Sequence, residues 1–291
     1  MMFTKIFETA ASELNYIPLS IELSLTSVPT LPVAYHPDCL QIVCPQQCGA
    51  DQYWIPWTEQ QGAWISPDGR SAEIVVTENT RDADFSRSMT IALANVIAGA
   101  CLNLQRQVAI HANAVSIEGR AVAFAGHSGM GKSTLTAFCV NQGAGFITDD
   151  IVTVDSEGLV YPGNNRIKLF PHTGESLGLD TSYELDYKIH YNPVQLGVNV
   201  LQGPVPLGIL YLLAESKGDN IYSEQVSPSQ TVFNVLLHSY YASELIPNHP
   251  VLLNSYVRLV NQVQVRKLYY PRNFGLLPKV YEFLTKEVYR L

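Results

Sequence analysis

Charge is scarce in this sequence. Only 15% of its 291 residues are Asp, Glu, Lys or Arg, and no run of like charges occurs. With a net charge of -8 there is no clustered Lys and Arg to neutralise phosphate backbones, which excludes a general nucleic-acid binder and a basic tail. Long apolar runs are missing too. The most apolar long stretch, 89–104, is interrupted by Thr90, Asn95 and Asn103 and falls short of a membrane span. Near the N-terminus Lys5 stands alone, and Glu8 and Glu13 break the apolar positions, so no signal-peptide core forms. The expectation is a cytoplasmic protein with no membrane partner. Cysteine is sparse and odd in number, at five, in a chain too large to need disulfide staples. His36, Cys39, Cys44 and Cys48 cluster, but without the Cys-x2-Cys knuckle of a tetrahedral zinc site. Reduced thiols and a metal site both remain open there.

What is present is apolar. Hydrophobic residues make up 47% of the chain, enough for a sizeable core and too many for wholesale disorder. No internal repeat or low-complexity segment appears. Residues 1–80 read as strands and loops, with partial alternation over 17–25. Trp54, Trp57 and Trp64 lie there among Pro56, Gly62, Pro67 and Gly69. Those tryptophans suit either a small core or the recognition of a ligand. From about residue 84 the pattern becomes helical: Phe85, Met89, Leu93, Val96, Ile97, Ala100 and Leu104 recur at helical spacing, with Asp84 as an N-cap. A domain boundary is therefore expected near residue 80, with a small β-rich domain over 1–80 and an α/β domain over 81–291.

Further along, a buried strand is expected at 121–125, a loop at 126–131, a helix at 132–141 stopped by Gly143, and a strand at 146–148. A strand follows at 206–214. Ser227, Pro228 and Gln230 signal a helix start, and that helix should run to about Tyr241. A strand at 263–270 and a closing helix at 276–288 complete the pattern. Loops at 171–200 and 215–226 leave room for an acceptor site.

Gly126-His127-Ser128-Gly129-Met130-Gly131-Lys132-Ser133-Thr134 meets every position of the Walker A pattern. It also sits where the physics needs it, after a strand and before a helix. Glycines let backbone N–H groups turn toward phosphate oxygens, and the helix N-terminus adds partial positive charge. Lys132 suits the outer phosphates and the Ser133 hydroxyl suits Mg²⁺, so ATP and Mg²⁺ are the implied ligands. Asp149-Asp150 follows the next apolar run, where a P-loop fold carries its metal-side carboxylate. Two adjacent acids can divide the work, one holding metal and the other taking a proton. His111 precedes the loop on an expected hairpin over 112–125 turning at Glu118-Gly119, which could return it to the loop. A lone histidine next to a strand is more often structural than catalytic, and spacing alone does not settle the role of His111.

The segments His111-Ala112-Asn113-Ala114-Val115, Gly126 to Thr134, and Phe146-Ile147-Thr148-Asp149-Asp150-Ile151 together resemble the HPr serine kinase/phosphorylase family. That family shares its fold with ATP-dependent phosphoenolpyruvate carboxykinases. The resemblance spans about 85–291 and is densest over 110–155. Weaker echoes lie at Asn165 to Leu169, at Lys188, in the 206–213 strand and at Leu268 to Pro271. It implies an HPr-kinase-like α/β P-loop domain. In that fold Asp149 is the Mg²⁺-side carboxylate, Asp150 the general base and His111 its neighbour across the γ-phosphate. Arg166, Lys168 and Lys188 become candidates to neutralise the transferring group, or plain surface cations. Thr134 stands where that family tends to carry an acid, its glycine- and arginine-rich C-terminal segment is unmatched, and 1–80 carries no likeness.

The resemblance thus implies a kinase with a different acceptor: a peptide serine, as in relatives that modify precursor peptides of natural products, or a small hydroxylated molecule. Rival readings are a non-catalytic nucleotide-binding adaptor or sensor, which needs the loop but no base, and a carboxykinase-like lyase. A transport ATPase is disfavoured because no Leu-Ser-Gly-Gly-Gln signature occurs. The nucleotide (ATP, GTP or pyrophosphate as donor) and the oligomeric state, a homo-oligomer included, stay open.

Overall fold

The computed structural model describes residues 19–32, 42, 51–80, 92–178, 184–185, 188–194 and 197–291. It is a mixed α/β protein that divides into two compact units. One comprises Met1–Ala109 with Tyr240–Asn254, the other Ile110–Ser239 with Ser255–Leu291. The composition change near residue 80 falls inside the first unit. His36, Cys39, Cys44, Cys48 and the expected Asp84 cap lie outside the described residues. Cys101 and Cys139 are free, buried thiols.

The first unit carries a four-stranded sheet in the order β1-β4-β3-β2. Its strands are β1 (Glu22–Val28), β2 (Tyr53–Thr58), β3 (Gln61–Ile65) and β4 (Ser71–Thr77). Trp54 pairs across with Trp64, their ring centroids 4.9 Å apart, and Trp54 is fully buried. Gly62 makes room for that indole, since a Cβ there would come within 2.2 Å of it. Trp57 donates its indole N–H to Gln61 Oε1 at 3.0 Å. These tryptophans are thus spent largely on the sheet itself. The expected helix ending at Leu104 is present from residue 92, as a π-helical turn (Ala92–Ile97) running into α1 (Ala98–Leu104).

The second unit is built on an eight-stranded sheet, ordered β14-β15-β13-β6-β5-β8-β9 with β7 paired to β5. Its chain begins as a hairpin of β5 (Val108–Ile117) and β6 (Arg120–Ala125). Glu118 (φ 51°) and Gly119 (φ 74°) make the two-residue left-handed turn that matches strand twist. There follow α2 (Lys132–Asn141), β7 (Gly145–Thr148), β8 (Ile151–Val154), β9 (Leu159–Val160) and β10 (Ile167–Leu169). Next come α3 (Pro171–Ser176), β11 (Glu184–Leu185), β12 (Lys188–Tyr191), β13 (Val205–Glu215), β14 (Tyr222–Gln225) and α4 (Pro228–Leu237). After α5 (Ala242–Leu245), which belongs to the first unit, and α6 (Pro250–Gln262), the chain closes with β15 (Gln264–Tyr270) and α7 (Leu277–Val288). β6, β13 and β15 run parallel, and helix α2 supplies Leu135 and Phe138 to the core beside them. Helix α7 adds Leu277, Val280, Leu284 and Val288, all buried and spaced on one helical face. Each such side chain removed from water contributes about 1.5–3 kcal/mol.

Three expectations need correction. The helix starting at Ser227 ends at Leu237, short of Tyr241. Past that point the backbone leaves the helix to pair with β5, His238 O accepting from His111 N at 2.6 Å and Ser239 bridging Ile110. The spans read as loops at 171–200 and 215–226 hold α3, β11, β12 and β14. Their strands are too short for alternation to register, and a partner strand stabilises them. Helix α6 was not anticipated, although Leu252, Tyr256, Leu259 and Val263 repeat at helical spacing and are buried.

Candidate functional site

The Gly126–Thr134 loop leaves the C-terminal end of β6 and enters α2. Gly129 (φ 81°) and Gly131 (φ 88°) are left-handed, a region that costs any residue with a Cβ. Gly131 is the N-cap of α2 and accepts from Leu135 N at 2.9 Å. Its neighbour carbonyl, Met130 O, accepts from the Tyr270 hydroxyl at 2.6 Å. Burial pushes the Tyr270 phenol up to about 12, so it remains a donor across the neutral range. A Cβ on Gly131 would stand 2.6 Å from that hydroxyl. Gly131→Ala therefore combines backbone strain with a clash, and should cost about 1–3 kcal/mol. For a chain of this size that lowers the melting temperature by about 2–4 °C per kcal/mol. Adding Tyr270→Phe should recover only the clash. A Gly131→Ala protein that melts like its parent would contradict the loop geometry.

Lys132 is buried, and its Nζ donates to Gly126 O at 2.6 Å and His127 O at 3.4 Å. Next to it, Ser133 Oγ donates to Asp149 Oδ1 at 3.2 Å. Asp149 is 2% exposed, and its other oxygen accepts from the Lys168 backbone N–H at 2.8 Å. This joins α2, the β7–β8 turn and β10 through one carboxylate. Asp150 sits in that turn at φ 78°, which for a non-glycine residue stores about 1–3 kcal/mol. Its carboxylate pairs with the Lys168 ammonium. Burial by itself would lower the lysine's pKa, but the charges of Asp150 and Asp149 outweigh it and hold the group above its ordinary value.

Asn113 ties these parts together. It is fully buried on β5, donates Nδ2 to Ser133 Oγ at 3.3 Å, and its Oδ1 accepts from Asp150 N at 3.4 Å. Sequence reasoning missed this role. The available signal was period two: His111 and Asn113 lie on one face of a strand otherwise filled, apart from Ser116, by Ala, Val and Ile.

A cavity of about 410 Å³ opens at the loop, within the range of small-ligand sites. Of the expected residues, His111, Ser128, Gly129, Gly131, Lys132, Ser133, Thr134, Asp150 and Lys168 line it. Gly126, His127, Met130, Asp149 and Arg166 do not. Gly126 packs against Leu213, where a Cβ would meet the leucine at 3.3 Å. Arg166 stands off the cavity, where its charge opposes that of Lys168. The Lys188 side chain lies outside the described residues. His127 packs edge-on against His238, centroids 5.3 Å apart. Burial first, and then the charges of His127, Lys132 and His111, bring His238 down to about 4. The remaining wall includes Phe170, His172, Tyr270, Arg272, Asn273 and Phe274, of which the sequence reading touched only Tyr270, inside the weak echo at Leu268 to Pro271.

Among the described residues no group of three or more His, Cys, Asp and Glu side chains could hold a metal by itself. The Ser133 and Asp149 oxygens nevertheless fit Mg²⁺, which takes one or two hard protein oxygens and completes its shell with phosphate and water. No helix among the described residues is long and apolar enough to cross a membrane.

No sequence-family model matches this chain, and no curated protein matches it. Among solved structures, the chain is similar to the Hpr(Ser) kinase/phosphatase from Coxiella burnetii. The identity is 15% and the TM-score 0.33, over 62% of this chain and 97% of that one. At that level of similarity no activity passes from that protein to this chain.

Proposed function

We propose that this chain is an ATP-dependent phosphotransferase of HPr-kinase-like fold that moves the γ-phosphoryl group to a hydroxyl. The observation that carries the reading is that the Asp150 carboxylate lines the same cavity as Lys132 and Ser133 of the phosphate loop. A sensor needs the cradle alone. A strained acid held beside it by Lys168 and Asn113 is what a transferase needs.

In this reading the N–H groups of Gly129–Thr134 cradle the phosphates. Lys132 exchanges its bond to Gly126 O for the outer phosphates, whose charge it neutralises. Ser133 and Asp149 would hold Mg²⁺, which would supply neutralisation of phosphate charge. Asp150 takes the proton of the acceptor hydroxyl as its oxygen bonds to phosphorus and the bond to the departing ADP oxygen breaks. Lys168 keeps that carboxylate ionised and aimed. His111 stands across the transferring group, while Arg166 and Lys188 remain candidates to neutralise it. The kinase domain in this proposal is 81–291, preceded by a small domain over 1–80 that contributes strands β1 to β4 among the described residues. The acceptor is a peptide serine or a small hydroxylated metabolite, the setting cytoplasmic, with no nucleic acid or membrane involved.

The test is to incubate the protein with Mg²⁺, γ-labelled ATP and a peptide library or cell extract, and to identify labelled products by mass spectrometry. Saturating Mg-ATP should also raise the melting temperature, by mass action. Tight nucleotide binding without transfer to any acceptor would favour the sensor. No thermal shift with any purine nucleotide at about millimolar concentration would end the nucleotide reading altogether.

A further inference from the structure

One peptide group of the Gly126–Thr134 loop is held differently from its neighbours. The peptide before it, Gly129–Met130, is tied by Met130 N donating to His127 O at 3.2 Å. The peptide after it, Gly131–Lys132, is tied by Gly131 O accepting from Leu135 N at 2.9 Å. Both of those restraints come from the local backbone. Between them, the Met130–Gly131 peptide has one hydrogen bond among the described residues, from the Tyr270 hydroxyl to Met130 O at 2.6 Å. That side chain arrives from β15, 140 residues further along the chain.

A planar trans peptide points its C=O and its N–H in opposite directions. With the Met130 carbonyl held on Tyr270, the Gly131 N–H is turned away from that hydroxyl. Gly131 lines the cavity, and its N–H donates to no protein group among the described residues. A donor in that state is available to an anion. Glycine makes the restraint necessary. Gly131 adopts φ 88°, but glycine takes either sign of φ at little cost, so the peptide could turn over there. The turned-over group would lose a donor to the anion and set a carbonyl oxygen against it.

Tyr270 is built to prevent this. It is 3% exposed, its ring belongs to the core, and its own carbonyl accepts from Ser216 N at 3.1 Å. The parallel pairing of β13 with β15 fixes its height against the loop. The missing Cβ of Gly131 leaves room for the hydroxyl to approach.

We propose that Tyr270 is a positioning residue of the phosphate loop, holding the Met130 carbonyl so that the Gly131 N–H is presented to phosphate oxygens. This role rests on the nucleotide reading above and adds to it the distant side chain that sets the polarity of the cradle. Tyr270 acts on phosphate and not on base or ribose, so it serves ATP and inorganic tripolyphosphate alike.

Met130–Gly131 is the single Met-Gly pair in the sequence. Labelling the methionine carbonyls with ¹³C and the glycine nitrogens with ¹⁵N therefore gives one NMR cross-peak that reports both ends of this peptide. In the parent, saturating Mg-tripolyphosphate should move its amide proton downfield, as a charge-assisted hydrogen bond does. Tyr270→Phe keeps the ring and removes the hydroxyl. It should shift the carbonyl carbon in the free protein and reduce the proton shift at saturation. It should also weaken Mg-ATP and Mg-tripolyphosphate together, by about 5- to 50-fold. A tyrosine that only supports the fold could lower the melting temperature, but the proton shift at saturation would stay as in the parent. That result would overturn the positioning role and leave the nucleotide reading standing. So would Tyr270→Phe affinities equal to the parent's, or a parent peak that saturating ligand leaves in place. If neither ligand binds the parent, the nucleotide reading itself fails and the role of Tyr270 falls with it.

Discussion

Asp150→Asn should bind Mg-ATP within a few-fold of the parent and transfer phosphate about 10²–10⁴ times more slowly, the usual worth of a general base. The substitution is chosen for its backbone as much as for its charge. Asp150 sits at φ 78°, and asparagine is among the few residues that tolerate the left-handed region. The variant keeps the size of the side chain, its bond from Lys168 through the amide oxygen, and the turn that also positions Asp149. Basicity is removed together with the negative charge opposite Lys168, which keeps a hydrogen-bond acceptor. Asp150→Ala would add a strained turn and the loss of that acceptor, so it is the poorer test. Single-turnover rate on an identified acceptor, measured beside nucleotide affinity, makes the distinction. Near-normal turnover in Asp150→Asn would remove Asp150 from the chemistry.

Lys132→Ala should do the reverse, weakening Mg-ATP by about 10- to 150-fold, as expected for one charge-assisted hydrogen bond to phosphate. Its ammonium is buried against Gly126 O and His127 O. Part of the loss will therefore come through the loop, which loses its internal brace. Lys132→Met, which keeps the apolar stem, separates the two. If methionine restores melting temperature but not affinity, the missing charge is responsible. If it restores affinity as well, Lys132 is a packing residue and the phosphate role is refuted. Titration calorimetry with Mg-ATP gives the affinities, and thermal melts without nucleotide give the stability share.

The parts of the site that sequence made legible are those governed by local rules. The helix expected over 132–141 is observed at Lys132–Asn141, because glycines with left-handed φ at Gly131 and Gly143 punctuate both its ends. The β5–β6 hairpin turns at Glu118-Gly119 and pairs Ala112 with Ala125, because a two-residue turn sets register for every pair behind it. Strand β13 was legible as a long continuous apolar run buried on both faces, and β15 and helix α7 by their periodic burial. Elements of two to four residues, such as β11, β12 and β14, carry no period and form only because a neighbour offers hydrogen bonds.

Which residues meet was decided at a longer range. Of Arg166, Lys168 and Lys188, sequence could not choose the one beside the acids. The choice follows from β10, which delivers the Lys168 backbone to Asp149 and its side chain to Asp150. Asn113 reaches Ser133 and Asp150 because β5 carries it past both α2 and the β7–β8 turn. Tyr270 meets Met130 across 140 residues of chain because β6, β13 and β15 run parallel and end together. That pairing also swings Arg272 and Phe274 to the cavity, an outcome with no local signature. By itself, the sequence determined a glycine-punctuated loop after a strand, the helix it enters and a pair of acids at a strand end, since glycine conformation, capping and hydrophobic period act over a few residues. The tertiary structure alone decided which cation faces Asp150, which tyrosine braces the loop and which aromatics close the cavity, since hydrogen-bond pairing between distant strands brings those groups together.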